Sequence, residues 1–540
     1  PGVGTGNAQY LYELFKTGEV EHFKTIFKGL PVGIFSLLGV SGIGAKTAYK
    51  LVKELKISGR NVLREVEKAA KAGRIREIPG FGEEREKLIL QSIKDREKKK
   101  AVRERMLLPI AGQIADDIVA WLGKCPEVLR VDPLGSLRRQ ISTVGDVDIA
   151  VASKNSKEVI KHFIRYPHKL RIIEAGEQSS SILLPSGAQV DLMVQPPEAY
   201  GSLLQHFTGS KFHNIHLREY ALKLGLSLSE HGIKRKGSNK IELFSTEEDF
   251  YEKLGMDWIS PELREDTGEI EASRRSAQEQ SGGLPHLVEL QDIKGDFHLH
   301  SSFDVKTSHD QGSATFAQMI KLADELGYEY MGFSEHNPSQ STTTKQESID
   351  LIKRKREAID QINYSREKKV KKGVQKVYNG LEIDIRPTGN LALLEEAFEF
   401  LDYAIVSVHS SFRLSQKEQT KRVLSALAHP KAKIFGHPTG RKLNQREGIE
   451  LNWLEIFEFC KKNNKILEIN SWYDRLDLPD NLVKEAVKVG VKLIIDTDSH
   501  ALDQMRLMKY GVSVARRGWA EKKDIVNTMS LARLDEELSQ

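Results

Sequence analysis

Cysteine is almost absent from this 540-residue chain, in which only Cys125 and Cys460 occur, far apart in sequence. Two such residues exclude a disulfide framework and a thiolate metal cluster, and they are typical of a reducing compartment. Any metal site must therefore use His, Asp and Glu. The chain also lacks an apolar run near the roughly 18 residues of a membrane span and a basic segment leading into an apolar stretch at its start. We therefore expect a cytoplasmic protein without membrane contact.

Charge of one sign is not in large excess, since the formal net charge is only +5. It is unevenly distributed, however, because residues 1–110 contain 22 Lys and Arg against 13 Asp and Glu, a local balance of +9. This end is therefore the expected phosphate-binding end. The lysine-rich run 94–100 taken alone is equally typical of a solvated helix face.

Three short glycine-centred turns, each followed by a helix-like segment, occur in the first 90 residues. In such helix-hairpin-helix elements glycine lets the backbone approach a phosphate, and the next helix offers unpaired N–H groups and the positive end of its dipole. One copy would be an ordinary helix turn, but three copies in basic surroundings predict DNA binding. The predicted DNA-contacting residues are Gly2, Gly4, Gly42, Gly44, Lys46, Gly80 and Gly82.

A pair of aspartates follows a Gly-Ser sequence in the second part of the chain. Strand alternation places Asp146 and Asp148 on one face, and Asp191 has a similar apolar-flanked setting. Three such carboxylates can hold two Mg²⁺ ions about 4 Å apart, one activating a hydroxyl and the other stabilising a leaving phosphate. The alternative is that they are strand-end aspartates capping nearby loops. The preceding Gly135 and Ser136 favour the metal site.

This pattern resembles the palm of family X DNA polymerases, and the resemblance continues in Phe207-Thr208-Gly209-Ser210 and the helix after it. It implies a gap-filling polymerase of base excision repair that uses Asp146, Asp148 and Asp191 with Mg²⁺ or Mn²⁺. Its expected partners are gapped or primer-template DNA and deoxynucleoside triphosphates. The implied nucleotide-binding residues are Gly135, Ser136, Arg139, Gly145, Phe207, Gly209 and Asn214, and Arg218 is the implied DNA contact on the same helix.

Two departures from the family pattern are visible. His206 stands where relatives that discriminate strongly against ribonucleotides often carry Tyr. Gly6 and Tyr10 occupy positions at which lyase-competent relatives have lysines. Because a phenol cannot form the Schiff base that an amine forms, we expect no lyase activity from Tyr10.

Eight of the 16 histidines lie between residues 298 and 500, most of them in short motifs with acidic neighbours. A lone histidine would be more typical of a core or surface position, but imidazoles with bridging carboxylates suit Zn²⁺ or Mn²⁺. Their order resembles the PHP (polymerase and histidinol phosphatase) family, which implies up to three ions and a 3′–5′ exonuclease activity. The implied ligands are His298, His300, His309, His336, Glu382, His409, His437, Asp498 and His500, with Asp304 and Asp310 as alternatives to His309.

The predicted fold class is multidomain α+β and α/β, with a helix-hairpin-helix region, a nucleotidyltransferase palm with a mixed sheet and a C-terminal distorted β/α barrel. The predicted parts are a remnant of a small DNA-binding domain (1–35), a helical DNA-binding subdomain (36–105), the palm (106–200), a nascent-base-pair-binding subdomain (201–265), a linker (266–290) and the PHP domain (291–540). We expect a monomer with a monovalent cation at one helix-hairpin-helix motif.

Two rival interpretations of the sequence are a template-independent nucleotidyltransferase and a DNA-end-binding scaffold with vestigial sites. The hairpins, Asn214 and Arg218 argue against the first, because they are useful only if duplex DNA is held. The complete set of metal-ligand residue types argues against the second.

Overall fold

The computed structural model of the chain describes residues 10, 13, 20, 31, 33–38, 43–57, 61–83, 85–90, 92–93, 105–274, 283–367 and 372–539. The chain divides into two compact units, residues 1–104 and 105–540. Three of the predicted DNA contacts, Gly2, Gly4 and Gly42, lie outside the described residues, as does Gly6. Within the described part of the chain, no helix has the length and apolar character needed to cross a membrane.

The described part of the first unit is helical. Its helices are α1 (Gly33–Leu38), α2 (Ala45–Glu54) and α3 (Val62–Lys71). Apolar residues at helical spacing form the buried face of α3, as an amphipathic helix requires. Glu86, also buried, accepts hydrogen bonds from the backbone N–H groups of Ile75 and Arg76 and thereby fixes the turn that precedes helical residues 85–90.

A five-stranded mixed sheet in the order β2-β4-β7-β6-β5 begins the second unit. Its first segments are β1 (Met106–Leu107), α4 (Leu108–Leu122), β2 (Arg130–Pro133), α5 (Gly135–Arg138), β3 (Thr143–Val144), β4 (Val147–Ala152), α6 (Ser156–Phe163), β5 (Arg171–Ala175), β6 (Ser179–Leu183) and β7 (Gln189–Gln195). Strands β4 and β7 are parallel, with Asp148 beside Asp191. Because Val147, Ile149 and Val151 are buried in the core, Asp148 lies on the opposite face.

A second, mostly helical subdomain follows the palm. It contains α7 (Tyr200–Thr208), α8 (Lys211–Lys223), α9 (Glu247–Lys253) and α10 (Glu269–Ala272), the antiparallel strands β8 (Leu226–Ser229), β9 (Gly232–Arg235) and β10 (Ile241–Glu242), and 3₁₀ turns at Pro197–Ala199 and Pro261–Leu263.

The start of the predicted linker 266–290 is folded into this subdomain, unlike a free connector. The fully buried Glu269 accepts hydrogen bonds from the backbone N–H groups of Asp266 and Thr267 and lies 2.7 Å from His213 Nδ1. Ile270 is buried beside it. The segment is anchored because a buried carboxylate must find donors, a requirement that hydrophobic periodicity does not reveal. Residues 275–282 lie outside the described part.

The C-terminal part is a distorted β/α barrel. Its strands are β11 (Tyr330–Phe333), β12 (Lys376–Asn379), β13 (Glu382–Asp384), β14 (Ala404–Ser407), β15 (Ala432–Phe435), β16 (Ile466–Asn470) and β17 (Leu493–Asp496). Its helices are α11 (Phe316–Leu326), α12 (Lys345–Glu367), α13 (Gln416–Leu427), α14 (Trp453–Lys462), α15 (Asp480–Val489), α16 (Met508–Arg517) and α17 (Leu531–Ser539). Shorter 3₁₀ segments are Leu290–Asp292, Glu395–Phe400, Leu502–Leu507, Lys522–Asp524 and Val526–Thr528.

Parallel pairing extends around this barrel. Strands β13 to β17 pair in sequence order, and β11 pairs with β12. Two parallel bridges, Leu299 with Ser499 and His336 with Glu382, join the remaining edges. The carboxyl ends of parallel strands lie at one rim, which is where the predicted histidine motifs follow their strands.

A buried ion cluster connects the palm to the helical subdomain. Glu247 at the start of α9 accepts hydrogen bonds from Arg138 NH2 at 2.6 Å and from Arg264 NH1 at 2.6 Å. Burial alone would raise the pKa of Glu247, but Arg264 and Arg138 outweigh it and hold that pKa at about 2. The carboxylate is therefore charged at neutral pH, and its stabilising contribution is lost only as pH falls from about 4.5 towards 2.

We predict that Glu247→Ala lowers the stability of the second unit by about 3–5 kcal/mol, because two buried guanidinium groups lose their counter-charge. Thermal or urea unfolding at neutral pH measures the effect. The neighbouring Glu248 is exposed and serves as the matched control, since Glu248→Ala should change stability by no more than about 0.5 kcal/mol. Equal unfolding curves for the two variants would contradict the assignment.

Candidate active sites

The palm brings the three predicted catalytic aspartates to one end of the β4–β7 pair. Asp148 and Asp191 are direct neighbours across these strands, and Asp146 immediately precedes β4, next to Gly145. Asp191 is oriented by Gln189 Nε2, at 2.9 Å from its Oδ1, and by the hydroxyl of Ser181. The site is therefore built on rigid sheet positions.

Gly135 and Ser136 open α5 directly beside these carboxylates. Gly135 has a φ of +57°, and a Cβ at this position would collide with the Asp148 carboxylate. Glycine is required here for both reasons. The backbone of Gly135 thus approaches the carboxylate of Asp148 more closely than a residue with a side chain would allow.

The carboxylates repel one another strongly. Burial raises the pKa of Asp148, and the charges of Asp146 and Asp191 raise it further, to about 7, against a smaller lowering by Arg139. A buried carboxylate whose pKa is raised by two neighbouring carboxylates fits a site for divalent cations, which bind oxygen ligands of this kind. Asp146, Asp148 and Asp191 are the residues that would hold such ions.

Arg139 lies between this site and the helical subdomain. Its Nε is 2.8 Å from Glu265 Oε1, and its NH1 donates to the carbonyl oxygen of Thr208. Gly209 has a φ of +69°, and a Cβ there would lie 3.0 Å from Arg139 NH1. The glycine therefore makes room for the guanidinium group beneath the turn.

The helical subdomain brings His206, Asn214 and Arg218 together. Asn214 Nδ2 donates to the carbonyl oxygen of His206 at 2.7 Å, and Arg218 NH2 lies 3.4 Å from His206 Nδ1. Phe207 is partly buried against the core that includes Tyr200. Burial lowers the pKa of His206, which favours a neutral imidazole at physiological pH.

In the first unit, the described glycines of the helix-hairpin-helix turns are exposed. Gly44 directly precedes α2, and Lys46 lies exposed in its first turn. Gly80, with a φ of +82°, and Gly82 precede the helical residues 85–90. These positions leave both turns accessible to a phosphate backbone.

Glu382 is the centre of the histidine-rich site. One carboxylate oxygen, Oε2, lies 3.3, 3.6 and 2.9 Å from nitrogen atoms of His298, His300 and His336. The other, Oε1, lies 3.3 and 2.9 Å from Nε2 of His409 and His437. A carboxylate surrounded by imidazoles in this way could bind a metal ion together with them.

The remaining contacts around Glu382 also fit metal binding. Overlapping groups of three or four ligand atoms occur, namely His300, His336 and His500; His309, His336 and His409; His298, His300, Glu382 and Asp498; and Glu382, His409 and His437. Among the described residues, several of the buried ligand atoms have no hydrogen-bond partner, including Nε2 of His298 and His300 and Oε2 of Glu382. A buried polar atom without a partner destabilises the fold, and bound divalent ions would serve as partners for these atoms.

The structure distinguishes Asp304 from the other two alternatives for the third ligand. His309 belongs to a group with His336 and His409. Asp310 is 76% exposed, yet its oxygens lie 3.5 Å from His336 Nε2 and 3.4 Å from His500 Nε2. Asp304 instead accepts a hydrogen bond from the backbone N–H of Lys306. His309 and Asp310 therefore border the site, whereas the hydrogen bond of Asp304 is made within its own loop.

Two acidic residues that the sequence reasoning missed support these histidines. Asp384 Oδ1 lies 2.9 Å from His309 Nε2 and 2.6 Å from His409 Nδ1. Glu468 Oε1 lies 2.5 Å from His298 Nδ1. Such partners fix the tautomer and direction of a metal-binding imidazole. The signal was available, because Glu382-Ile383-Asp384 has the same alternation as the aspartate pair of the palm.

A cavity of about 380 Å³ opens over the histidine cluster. Its walls include the basic residues Lys442, Arg446 and Arg475 and the aromatic residues Trp472 and Tyr473. Basic groups beside a metal-ligand cluster suit a phosphate ester. The fold and the two sites together define a two-site enzyme, in which a nucleotidyltransferase palm is joined to a β/α-barrel phosphoesterase that uses divalent metal ions.

Comparison with known proteins agrees with this class. Residues 203–265 match the DNA polymerase beta thumb, residues 296–472 the PHP domain and residues 35–95 the SAM-like helix-hairpin-helix tandem. The chain is 31% identical over 532 residues to the DNA polymerase/3′-5′ exonuclease PolX of Bacillus subtilis (strain 168), covering 98% of this chain and 89% of that protein. The chain therefore belongs to the family X DNA polymerases with a PHP domain, which confirms the predicted family and fold class.

Two further relatives match separate parts. A probable phosphatase of Clostridium acetobutylicum is 29% identical over 214 residues, 38% of this chain and 78% of that protein. The DNA polymerase lambda of Rattus norvegicus is 27% identical over 159 residues, 24% of this chain and 28% of that protein.

We predict that Asp148→Asn stabilises the metal-free protein at pH 8 by roughly 1–3 kcal/mol, because it removes a charge that the fold disfavours. The pKa of Asp148 is raised to about 7 in the folded state. Its contribution to stability is therefore present at low pH and is lost as pH rises from about 4 to 7. Thermal unfolding with a chelator and with Mg²⁺ is the measurement. Mg²⁺ should stabilise the wild type more than the variant, and equal shifts would contradict the site.

Proposed function

We propose that this protein fills short gaps during DNA repair and that it removes nucleotides from 3′ ends at its PHP site. The observation that carries the polymerase proposal is the adjacency of Asp148 and Asp191 on parallel strands, with Arg139 beside them. This arrangement supports the proposal, because carboxylates that could hold metal ions and a guanidinium group that could bind a triphosphate lie close together.

The palm residues would perform distinct tasks during nucleotidyl transfer. Bound Mg²⁺ or Mn²⁺ would lower the pKa of the primer 3′-hydroxyl and neutralise charge on the triphosphate. Asp146, Asp148 and Asp191 would hold these ions. Arg139 and Ser136 would orient the triphosphate oxygens, because a guanidinium group binds phosphate with directed N–H donors.

The helical subdomain would hold the new base pair. Phe207 and Gly209 would pack beneath the sugar, and Asn214 and Arg218 would face the minor groove. Asn214 is held in place by two hydrogen bonds, to the His206 carbonyl and from Gln205 Nε2. A residue fixed in this way can report on base-pair geometry at little entropic cost.

The PHP site would hydrolyse phosphodiesters with up to three Mn²⁺ or Zn²⁺ ions, which supply the nucleophile and neutralise charge when bound. Glu382 and the histidines around it would hold the ions, and Asp384 and Glu468 would orient the histidines. Lys442, Arg446 and Arg475 line the same cavity and would bind the phosphate of a DNA 3′ end.

The first unit would bind the DNA backbone at the turns that contain Gly44, Gly80 and Gly82, with Lys46 adding a positive charge. We propose that a monovalent cation occupies one of these turns and that the protein acts as a monomer. A template-independent transferase would make little use of these turns. Comparing primer extension on gapped DNA with extension of a free single strand therefore tests the polymerase proposal against the transferase alternative directly.

We predict that Asp191→Ala abolishes nucleotide incorporation while leaving 3′ digestion within about twofold, because the two sites use separate ligands. Glu382→Ala should do the reverse. A labelled primer on gapped DNA, incubated with Mg²⁺ or Mn²⁺ with and without nucleotides, shows both reactions on one gel. Loss of both activities in either folded variant would contradict the assignment of two independent sites.

We also predict that DNA affinity falls steeply with salt and favours a downstream 5′-phosphate, because the helix-hairpin-helix turns contact phosphates. Lys46→Ala should reduce the slope of log affinity against log salt by about one, as expected for one lost phosphate contact. Fluorescence anisotropy on gapped DNA with and without the 5′-phosphate measures both effects. Equal affinity for the two DNAs would count against the proposed role of the turns.

A further inference from the structure

Helix α16 of the PHP domain ends against the polymerase part of the second unit. Its last residue, Arg517, has a side chain only 8% exposed. Arg517 NH1 donates to the backbone carbonyl of Arg139 at 2.8 Å and to Glu265 Oε1 at 3.0 Å. Its NH2 lies 2.6 Å from Asp480 Oδ2, on helix α15 of its own domain. A PHP residue therefore touches both the backbone and the carboxylate partner of Arg139.

Glu265 joins the two arginines. The same oxygen, Oε1, accepts from Arg139 Nε at 2.8 Å and from Arg517 NH1 at 3.0 Å. One turn earlier on α16, the hydroxyl of Ser513 donates to Gln140 Oε1 at 3.2 Å, next to Arg139 in sequence. The PHP helix thus holds the loop after α5 at two successive residues.

The charge of Arg517 is maintained despite its burial. Burial alone would lower the pKa of Arg517, but the carboxylates of Asp480 and Glu265 raise it above its ordinary value. With only Arg139 as its partner, Glu265 would neutralise the cation that faces the triphosphate. Arg517 adds a second positive charge beside Glu265 and shares that carboxylate with Arg139, while Asp480 balances the charge of Arg517.

The geometry also orients Arg139. Its Nε is occupied by Glu265 and one NH1 hydrogen by the Thr208 carbonyl. Since a guanidinium group has five N–H donors in a fixed plane, holding the Nε–H and one NH1 hydrogen fixes that plane and therefore where the other donors point. The remaining donors are thereby available to a phosphate.

We propose that Arg517 of the PHP domain is a positioning residue of the polymerase site, which holds Glu265 and the backbone at Arg139 so that the Arg139 guanidinium receives the incoming nucleoside triphosphate. This inference rests on the proposed function, in which Arg139 binds the triphosphate. It makes nucleotide binding at the palm dependent on a side chain of the exonuclease domain.

The adjacent Arg516 provides a matched control. It lies on the same helix and at the same domain boundary, with Nε 2.7 Å from Glu262 Oε1 and NH2 3.2 Å from Ser260 Oγ. Both arginines thus pair with a glutamate of the helical subdomain. Of these two arginines, Arg517 is the one that contacts Arg139 and Glu265.

The test compares full-length Arg517→Ala, Arg517→Lys and Arg516→Ala in single-nucleotide incorporation on gapped DNA. We expect Arg517→Ala to raise KM for the nucleotide about 5- to 10-fold with kcat within about twofold, the effect of losing a buried charged hydrogen bond. Arg517→Lys should recover part of the loss, because it restores the charge. Arg516→Ala should leave KM within about twofold, and all three should retain 3′ digestion, which verifies the fold.

A double variant tests the electrostatic part. If the loss of Arg517 weakens the site because Arg139 alone then balances Glu265, Glu265→Gln in the Arg517→Ala background should lower KM again. An active enzyme in which Arg517→Ala leaves KM unchanged, or in which Arg516→Ala raises it equally, would overturn the inference alone. A folded wild-type protein that incorporates no nucleotide would overturn the proposed function and this inference with it.

Discussion

Buried carboxylates that must be neutralised determine how this molecule is assembled. Two buried carboxylates and one partly buried carboxylate are shared by several partners: Glu247 lies between two arginines, the partly buried Glu265 lies between two more, and Glu382 is surrounded by five histidines. In each place the acid joins segments that are distant in sequence. A buried negative charge is tolerated only with such compensation, so the polar clusters specify contacts that apolar packing alone would leave less defined.

At the polymerase site, the protein itself does not fully neutralise the negative charge of the carboxylates. Asp146, Asp148 and Asp191 have an excess of negative charge that the nearby Arg139 offsets only in part. The fold tolerates this repulsion because the sheet fixes the strands that carry the acids. Because these carboxylates repel one another when no cation is bound, bound cations stabilise the site strongly. The protein thereby gives up some folding stability at a site that its function requires.

Local periodicity explains how much of the molecule could be predicted. Alternation predicted strand structure around the aspartate pair and a similar setting for Asp191, and the structure has strands at Val147–Ala152 and Gln189–Gln195. The same rule could have found Asp384 and Glu468. It could not have found the pairing of Arg517 with Glu265, because an ion pair between residues so distant in sequence has no periodic signal. Residues 266–274 were predicted as part of the linker for the same reason, because the contacts that hold Glu269 leave no periodic pattern in the sequence.

The closure of the barrel has a consequence for the order in which the chain acquires its activities. The bridge between Leu299 and Ser499 brings the first histidine motif beside the last, so the metal site needs ligands from both ends of the domain. During synthesis, domains fold largely from the amino terminus onward. The contiguous palm can therefore form while the exonuclease domain is still being translated, whereas the barrel cannot assemble its ligands until residue 500 has left the ribosome. A nascent chain would acquire the framework for adding nucleotides before the means of removing them.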